Sequence, residues 1–505
     1  MRFGVDFGTS RTTIASCDRG NYPVVSFEDH QGDIHDYIPS IAALDGDHLV
    51  FGFQAQALAA QGAPALRSFK RLLSDPQVTE QTTIRLARRD IGLLDLVTRY
   101  LAHVADTLRY ASSATSELGK GPLEAVIGIP AHAHSGQRFL TLEAFRNAGW
   151  HVHSMINEPS AAGFEYTHRH GGTLNSKRTS VLVYDLGGGT FDASLVHARG
   201  TSHEVQASRG HNMLGGDDFD LVLAHVTLQV AGIAAAQLGD AGWAELVEQC
   251  RIAKESLNAQ TRFLTLEVQG KAISVPVAQF YDAATCLVEE TFTTMLPLLH
   301  TDADGDAQLG ADIAGLYVVG GGAELPLVSR LLRTRFGRRV HRSPHGSTST
   351  AIGLAIAADP DAAFTLRDTL ARGVGVFREG EAGAQVTFDR LLTPDMRLNL
   401  DGTMTFTRTY KAAHNVGWFR FVEYSRTDEA GVPSGDVLPY GELRMPFDPH
   451  LQHGTIDLSV IAVERTFDGP RVQERYRVDT NGIIDVEIVD LDTGYSVRQG
   501  LGHPH

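Results

Sequence analysis

The sequence is poor in cysteine and has no long apolar run. Its 505 residues include 3 cysteines, and Cys17, Cys250 and Cys286 show no CxxC spacing. The spacing excludes a cysteine metal site or a disulfide framework and favours a reducing compartment. Burial as small apolar side chains is the plainer interpretation of all three. No apolar run approaches the length of a membrane span.

The sequence also lacks an excess of positive charge. Lys and Arg total 44 against 60 Asp and Glu, a formal net charge of -16. An acidic balance argues against nucleic acid or an anionic membrane as a partner. The first predicted strand begins at residue 2 or 3, which leaves no room for a signal peptide. We therefore expect a cytoplasmic protein of two to four globular domains.

Residues 181–192, VLVYDLGGGTFD, form the most informative stretch. An apolar strand ends on a carboxylate, and three glycines, a threonine and a second carboxylate follow it: Asp185, Gly187, Gly188, Gly189, Thr190 and Asp192. Glycines permit a tight turn whose backbone N–H groups converge on a phosphate. An acid at the strand end can hold a hydrated magnesium ion beside it. The alternative interpretation is an ordinary hairpin with a glycine turn, which is common.

A second copy of this pattern lies at the start of the chain. Residues 3–10, FGVDFGTS, place Asp6 at the end of an apolar strand, followed by Gly8, Thr9 and Ser10. Two similar segments far apart in one chain indicate an internal duplication. We expect two related lobes that face each other, with a nucleotide between them.

Other segments carry isolated charged or glycine residues that have simpler explanations when taken singly. Lys70 and Arg71 read as a solvated helix end, and Glu158 reads as a cap carboxylate on a helix dipole. The glycine-rich turn 320–322 follows a predicted strand and precedes a predicted helix, which alone is a weak nucleotide-binding signal. Only the order of all these segments along the chain makes the pattern specific to one class of protein.

Taken in order, the segments resemble the nucleotide-binding domain of the heat shock protein 70 chaperone family, within the actin-like ATPase superfamily. The resemblance covers residues 1–358 and is closest at 156–166, INEPSAAGFEY, and 183–192, VYDLGGGTFD. It implies an α/β actin-like ATPase fold of two lobes with a duplicated βββαβα core, the second lobe beginning at about residue 178. A β-sandwich domain is implied to follow.

The resemblance implies a slow ATPase that binds ATP or ADP with Mg²⁺. Asp6 and Asp185 are implied to hold the metal through its waters, and the implied catalytic residues are Lys70, Glu158, Thr190 and Asp192. Pro130 and Arg138 match a proline–arginine pair that relays nucleotide state to the partner domain. The implied nucleotide-binding residues are Gly8, Thr9, Ser10, Arg11, Lys70, Gly187, Gly188, Gly189, Thr190, Gly215, Gly216, Arg251, Lys254, Glu255, Asn258, Gly320, Gly321, Gly322, Glu324 and Ser347.

The base-binding half departs from the family pattern. Glu255 and Glu324 occupy the positions of two arginines that stack on adenine, and a carboxylate cannot stack as a guanidinium does. Arg251 replaces an acidic residue that contacts the ribose, Asn258 replaces a hydroxyl residue and Ser347 replaces an aspartate. We expect weaker or less base-selective nucleotide binding than is normal in the family.

The last third of the chain has a different sequence pattern. Residues 359–370 occupy the place of the family's apolar interdomain linker. Short alternating segments in 371–505 predict an antiparallel β-sandwich, and residues 475–497 resemble the family's peptide-binding domain. No helical lid pattern follows, so the resemblance is to a lidless member. The predicted strands are VGVF, QVTF, MTFTRTY, WFRFVEY, IDLSVIAV, RVQERYRV and IIDVEIVDL.

Three functions fit these observations. The first is a molecular chaperone whose β-domain binds an extended peptide or protein client, with a co-chaperone or exchange factor as a further partner. The second is a nucleotide-gated interaction module for one specific partner. The third is a small-molecule kinase of the same superfamily, which the chaperone-like motifs and the C-terminal sandwich disfavour, although fold alone does not fix function.

Overall fold

The computed structural model describes residues 1–170, 177–301, 306–362, 364–370, 372–380, 385–394, 396–453 and 456–502. Residue 363 of the predicted linker and residues 371 and 503–505 of the predicted β-domain lie outside this part. No helix in these ranges is both long enough and apolar enough to cross a membrane.

The first lobe alternates strands and helices. Its strands are β1 (Arg2–Phe7), β2 (Arg11–Ser16), β3 (Phe27–Glu28), β4 (Ile34–His35), β5 (Ile38–Pro39), β6 (Ile41–Asp45), β7 (His48–Phe51), β8 (Ala65–Arg67), β9 (Thr83–Leu86), β10 (Arg89–Gly92), β11 (Leu123–Ile129) and β12 (Trp150–Asn157). Its helices are α1 (Gly52–Ala60), α2 (Phe69–Leu72), α3 (Leu93–Tyr110), α4 (Ser135–Asn147) and α5 (Glu158–His170).

The main sheet of this lobe has the order β12-β11-β1-β2-β5. The hairpin β1–β2 is antiparallel, whereas β11 and β12 join it in parallel. Helix α3 covers the sheet through buried Tyr100, whose hydroxyl shares hydrogen bonds with Thr12 Oγ1 at 2.8 Å and Ser40 Oγ at 3.1 Å. These bonds satisfy a phenol that lies in the lobe's apolar core.

The second lobe repeats this plan. Its strands are β13 (Ser180–Leu186), β14 (Phe191–Arg199), β15 (Ser202–His211), β16 (Phe263–Val268), β17 (Lys271–Pro276), β18 (His300–Thr301), β19 (Ala307–Gln308), β20 (Ile313–Val319), β21 (Val340–Arg342) and β22 (Thr365–Arg367). Its helices are α6 (Gly216–Ala231), α7 (Gly239–Glu255), α8 (Val277–Met295), α9 (Pro326–Phe336) and α10 (Ser349–Ala358).

The sheet order β21-β20-β13-β14-β15-β22 matches that of the first lobe. Again an antiparallel hairpin, β13–β14, is flanked by two parallel strands, β20 and β21. The duplication predicted from the two Asp–glycine segments is therefore present, and those segments form the equivalent hairpin of each lobe.

Helix α10 packs where the lobes meet, against α5 and β1. Its small residues allow this close approach. A Cβ on Gly353 would lie 1.8 Å from Ala161 O, and a Cβ on Gly4 would lie 2.1 Å from Ala355 N. No side chain larger than hydrogen fits at either position without backbone movement.

Residues 365–367 of the predicted linker form β22, which pairs in parallel with β15. The Phe364 ring stacks on the His203 imidazole, with 5.7 Å between centroids. The linker is therefore attached to the second lobe's sheet in this structure.

The C-terminal region is a β-sandwich. Its strands are β23 (Gly373–Gly380), β24 (Gln385–Leu392), β25 (Met404–Lys411), β26 (Val416–Thr427), β27 (Pro433–Pro446), β28 (Arg471–Val478), β29 (Ile484–Asp490) and β30 (Ser496–Leu501). The two sheets have the orders β24-β23-β26-β27 and β25-β28-β29-β30. Phe421, Tyr476 and Val486 are among the buried residues between them.

Three features of this sandwich differ from the sequence-based expectation, and one of them is that β30 (Ser496–Leu501) was not among the predicted strands. The segment 456–463, IDLSVIAV, forms turns rather than a strand. Asp457 Oδ1 accepts from Ser459 N at 2.8 Å, and such local bonds compete with strand pairing. Conversely, β27 was not predicted, because its prolines and glycines resemble loop chemistry. The strand lies at a sheet edge and contains register shifts against β26, where such residues are tolerated.

We expect Gly353→Ala to lower stability, because its methyl group would collide with the α5 backbone. Overpacking of this kind costs about 1–3 kcal/mol, so the thermal unfolding midpoint should fall by several degrees. Gly121→Ala is the control, since a Cβ there meets nothing within 4 Å. Equal midpoints for the two variants would contradict the packing described.

Candidate functional site

The glycine turns of the two lobes touch across one cleft. A Cβ on Gly188 would lie 2.4 Å from Ser10 Oγ, and a Cβ on Gly189 would lie 2.8 Å from Thr9 Oγ1. The cleft has a volume of about 460 Å³. The two hairpins therefore lie on opposite sides of a single crevice, which Gly8, Thr9 and Ser10 line from the first lobe and Gly187, Gly188 and Thr190 line from the second.

The carboxylates of Asp6, Glu158 and Asp185 line the base of this cleft, and that of Asp192 lies buried next to them. Asp185 and Asp192 are directly opposed on β13 and β14. Burial raises the pKa of Asp6 to about 7 and that of Asp192 to about 8, and the Glu158 carboxylate adds to both shifts. Burial, followed by the charges of Glu158 and Asp6, raises the pKa of Asp185 well above its usual range. The cluster repels itself when ionised and favours a cation.

Lys70 supplies a positive charge at this place. Its Nζ donates to Glu158 Oε1 at 2.9 Å, and the side chains are only 5% and 11% exposed. Nζ also lies 5.5 Å from the centroid of the Phe7 ring, over its face. Because β12 ends directly before Glu158 and α5 begins there, the carboxylate is fixed at a strand–helix junction.

The donor set fits a hydrated magnesium ion rather than a protein-caged one. Within the described ranges, no group of three or more His, Cys, Asp or Glu side chains is arranged to hold a metal directly. Asp6 and Asp185 both line the cleft beside the glycine turns. Mg²⁺ keeps several waters and is usually held by one or two carboxylates together with substrate phosphates. The carboxylates of this cleft meet that requirement.

Helix α7 forms one wall of the other half of the cleft. Lys254 Nζ donates to Gly216 O at 2.6 Å and pairs with Asp220 Oδ1 at 2.7 Å. Arg251 Nη1 donates to Glu255 Oε1 at 3.1 Å. Gly216 is therefore bonded both to α7, through Lys254, and to the glycine turn of the second lobe, since Gly216 N donates to Gly187 O at 2.9 Å.

Most of the sequence-predicted residues line this one cleft. They are Asp6, Gly8, Thr9, Ser10, Arg11, Lys70, Glu158, Asp185, Gly187, Gly188, Thr190, Gly216, Arg251, Lys254, Glu255, Gly320, Gly321, Gly322, Glu324 and Ser347.

Four predicted residues are not among those lining the cleft. Gly189 and Gly215 lie behind its wall, where a Cβ on Gly215 would be 2.6 Å from Gly188 O. Asp192 is buried at 2% exposure opposite Asp185. Asn258 lines a neighbouring groove with Pro326 and Arg330 instead. Helix α7 ends at Glu255, which directs the chain at 258 away from the cleft.

Sequence reasoning missed several residues that join the lobes here. Arg71 Nη2 donates to both Asp218 oxygens, at 2.9 and 3.1 Å, and Arg67 pairs with Glu248 at 2.8 Å. Tyr37 lines the cleft from the loop between β4 and β5. Only Arg71 had a sequence signal, as the neighbour of Lys70. The other partners are far apart in sequence and meet only in the folded chain.

The two residues of the predicted relay pair lie on either side of the start of α4. Pro130 directly follows β11. Nearby, Asp192 and His132 lie side by side, since a Cβ on Gly210 would be 2.5 Å from Asp192 Oδ1 and 3.1 Å from His132 Nδ1. Arg138 Nη2 donates to Asn157 Oδ1 at 2.6 Å.

Two further contacts join the first lobe to the linker and to the sandwich. Asn157 Nδ2 donates to Asp368 Oδ2 at 3.0 Å. Ser135 Oγ donates to Glu423 Oε2 at 3.3 Å, and Glu423 pairs with buried Arg372 at 3.4 Å. Arg138 and Glu423 line one cavity of about 300 Å³ between lobe, linker and sandwich.

The duplicated two-lobed fold, with its facing glycine turns and buried acids, is the actin-like ATPase fold followed by a β-sandwich. A family model described as Hsp70 protein matches residues 2–375. The chain belongs to the Hsp70 family. The fold predicted from the resemblance is thereby confirmed.

Among curated proteins, the chain is similar to chaperone protein HscA from several bacteria. It is 31% identical over 392 residues to HscA of Salmonella agona (strain SL483), covering 74% of this chain and 61% of that protein. It is 30% identical over 391 residues to HscA of Citrobacter koseri, with the same coverage of 74% and 61%. The match spans about three fifths of the length of these relatives.

We expect Lys70→Met to destabilise the protein strongly, because it leaves Glu158 buried among other carboxylates without a counter-ion. Breaking a buried ion pair from one side costs about 3–5 kcal/mol. The double variant Lys70→Met/Glu158→Gln removes both charges and should recover most of the loss. Urea unfolding of the three proteins measures this. A double variant no more stable than Lys70→Met would contradict the pairing.

Proposed function

We propose that this protein is an ATP-dependent chaperone that binds and hydrolyses ATP in the interlobe cleft. The observation that carries the proposal is the contact of Gly188 and Gly189 with Ser10 and Thr9, beside a buried acid cluster and Lys70. Family membership supports it. Phosphoryl transfer requires positioning and charge neutralisation more than covalent catalysis, and these groups supply both.

Each residue has a role in this proposal. The two glycine turns hold the phosphate oxygens from opposite sides, and Lys70 neutralises charge that develops on the transferred phosphoryl group. Glu158 and Asp192 orient the attacking water, and Thr190 supports it from the second hairpin. Asp6 and Asp185 hold Mg²⁺ through its waters, and the metal supplies further charge neutralisation when bound. Hydrolysis is slow in this proposal, as the resemblance implies.

We propose the domain boundaries 1–358, 359–370 and 371–505, supported by the end of α10 at Ala358 and the first sandwich strand at Gly373. The sandwich is proposed to bind an extended peptide or protein client, with a co-chaperone or exchange factor as a further partner. The support is family membership and the strand order of the sandwich. A cytoplasmic location belongs to the same proposal and is supported by the scarcity of cysteine.

Nucleotide state is proposed to reach the client through the polar contacts that join the first lobe to the linker and to the sandwich. The support is that Arg138, Asn157 and Asp368 bridge the first lobe and the linker, while Ser135 and Glu423 bridge α4 and the sandwich. A ligand can shift such an equilibrium only through different contacts in the two states. The carboxylates next to the cleft are the groups whose charge a bound metal–nucleotide changes.

We expect Asp185→Asn to remove most of the gain in nucleotide affinity that Mg²⁺ provides, about 10–100-fold, and to slow hydrolysis. Asparagine keeps the shape of a carboxyl whose raised pKa already favours its neutral form, so the fold should persist. Calorimetry of ATP with and without Mg²⁺ measures the effect. Asp45→Asn, at the exposed end of β6, is the control. Unchanged Mg²⁺ dependence in Asp185→Asn would count against the proposed metal site.

We expect Arg138→Ala to uncouple the sandwich from the cleft. The substitution removes the cation next to the Asp368 carboxylate, so the interface between the first lobe, the linker and the sandwich should loosen. The backbone amide protons of β26 and β27 should then exchange faster with solvent. Peptide stimulation of ATP hydrolysis should be lost while the basal rate persists. Arg146→Ala on the same helix, where the side chain is exposed, is the control. A wild-type ATPase that no peptide stimulates would favour the single-partner module instead.

A further inference from the structure

The base half of the cleft carries carboxylates at the two positions where the resemblance implies stacking arginines. A guanidinium nevertheless reaches this region from the opposite lobe. Arg11 begins β2 of the first lobe, and its Nη2 lies 3.7 Å from Glu255 Oε1. Arg11 therefore places its planar guanidinium next to Glu255 from the opposite side of the cleft.

Arg11 is held in place from two sides. Its Cζ lies 4.8 Å from the centroid of the Tyr37 ring, over the face of the ring, and Glu255 anchors its Nη2. Glu255 is itself fixed by Arg251, whose Nη1 donates to it at 3.1 Å. These two contacts favour one orientation of the guanidinium, so less rotamer entropy has to be lost when a base stacks on it. Arg11, Tyr37 and Glu255 all line the cleft.

Glu324 has a different environment. It follows the glycine turn 320–322 and is exposed in the cleft. A Cβ on Gly346 would lie 3.3 Å from Glu324 Oε1, which places the carboxylate beside the loop that contains Ser347. Within the described residues no ion pair involves Glu324, whereas Glu255 has two. Its oxygens are accordingly available to a ligand.

The chemistry of a carboxylate selects among purines. Ionised Glu only accepts hydrogen bonds. Guanine offers two adjacent donors on one edge, N1–H and the 2-amino group, which match the two oxygens of a carboxylate. Adenine offers its 6-amino donor beside the N1 lone pair, which repels the second oxygen. A carboxylate at the base edge therefore favours guanine, and an amide in its place favours adenine.

We propose that the base of the bound nucleotide stacks on Arg11 and that Glu324 pairs with its edge, so that this site takes a guanine nucleotide at least as well as an adenine nucleotide. The inference rests on the proposed nucleotide-binding function and names the base class of the ligand. It makes Arg11 and Glu324 the specificity-determining residues, each from a different lobe.

Calorimetry with ADP, GDP, IDP and inorganic pyrophosphate, each with Mg²⁺, tests this proposal on the full chain. GDP should bind at least as tightly as ADP. IDP lacks the 2-amino group and should bind roughly tenfold more weakly than GDP, which corresponds to about 1.4 kcal/mol. ADP binding tenfold or more tighter than GDP would overturn the proposal.

Two variants separate the two roles. Glu324→Gln should lower the ratio of GDP to ADP affinity by roughly tenfold, since the amide reads adenine better. Arg11→Ala should weaken all three nucleoside diphosphates roughly tenfold more than it weakens pyrophosphate, because only the nucleotides lose stacking as well as the nearby positive charge. Glu289→Gln, an exposed acid on α8, is the matched control.

The outcomes distinguish this proposal from the proposed function. Two results would overturn the base assignment while leaving the proposed phosphate site intact. One is an unchanged ratio of GDP affinity to ADP affinity in Glu324→Gln. The other is that the nucleoside diphosphates bind no more tightly than pyrophosphate. If neither pyrophosphate nor any nucleotide bound, both the base assignment and the proposed function would fail.

Discussion

The contact between the two glycine turns is the constraint on which the rest of this structure depends. Gly188 and Gly189 lie so close to Ser10 and Thr9 that a Cβ on either glycine would meet the facing hydroxyl oxygen within 3 Å. This contact closes the cleft floor and brings carboxylates from both lobes together. Lys70 neutralises part of this concentrated negative charge, because its ammonium group pairs with Glu158 in a nearly buried position.

The linker and the β-sandwich are bonded to both lobes. Arg138 bonds to Asn157, and Asn157 bonds to Asp368 of the linker. The linker itself is paired with the second lobe's sheet through β22. Ser135 at the start of α4 bonds to Glu423 of the sandwich, so polar contacts join the first lobe to both the linker and the sandwich.

The proposed base half of the cleft is built from different kinds of groups than the proposed phosphate half. The phosphate half depends on backbone geometry, which glycine provides at fixed sequence positions. The base half depends on side chains from three separate places: Arg11 on β2, Tyr37 in a loop and Glu255 on α7. The Arg11–Glu255 ion pair crosses between the lobes, whereas the contact of Arg11 with the Tyr37 ring lies within the first lobe.

The sequence by itself determined the duplicated lobes, the phosphate turns and the sandwich, because strand–Asp–glycine patterns and alternating strands are local signals that neighbouring residues carry. It failed for IDLSVIAV, where an Asp457 turn replaced pairing, and for β27, whose prolines and glycines fit only because the strand lies at an edge. The tertiary structure alone decided that Arg11 meets Glu255, that Asn258 lies outside the cleft and that the linker joins a sheet. Those outcomes depend on contacts between distant segments, whose geometry no local pattern encodes.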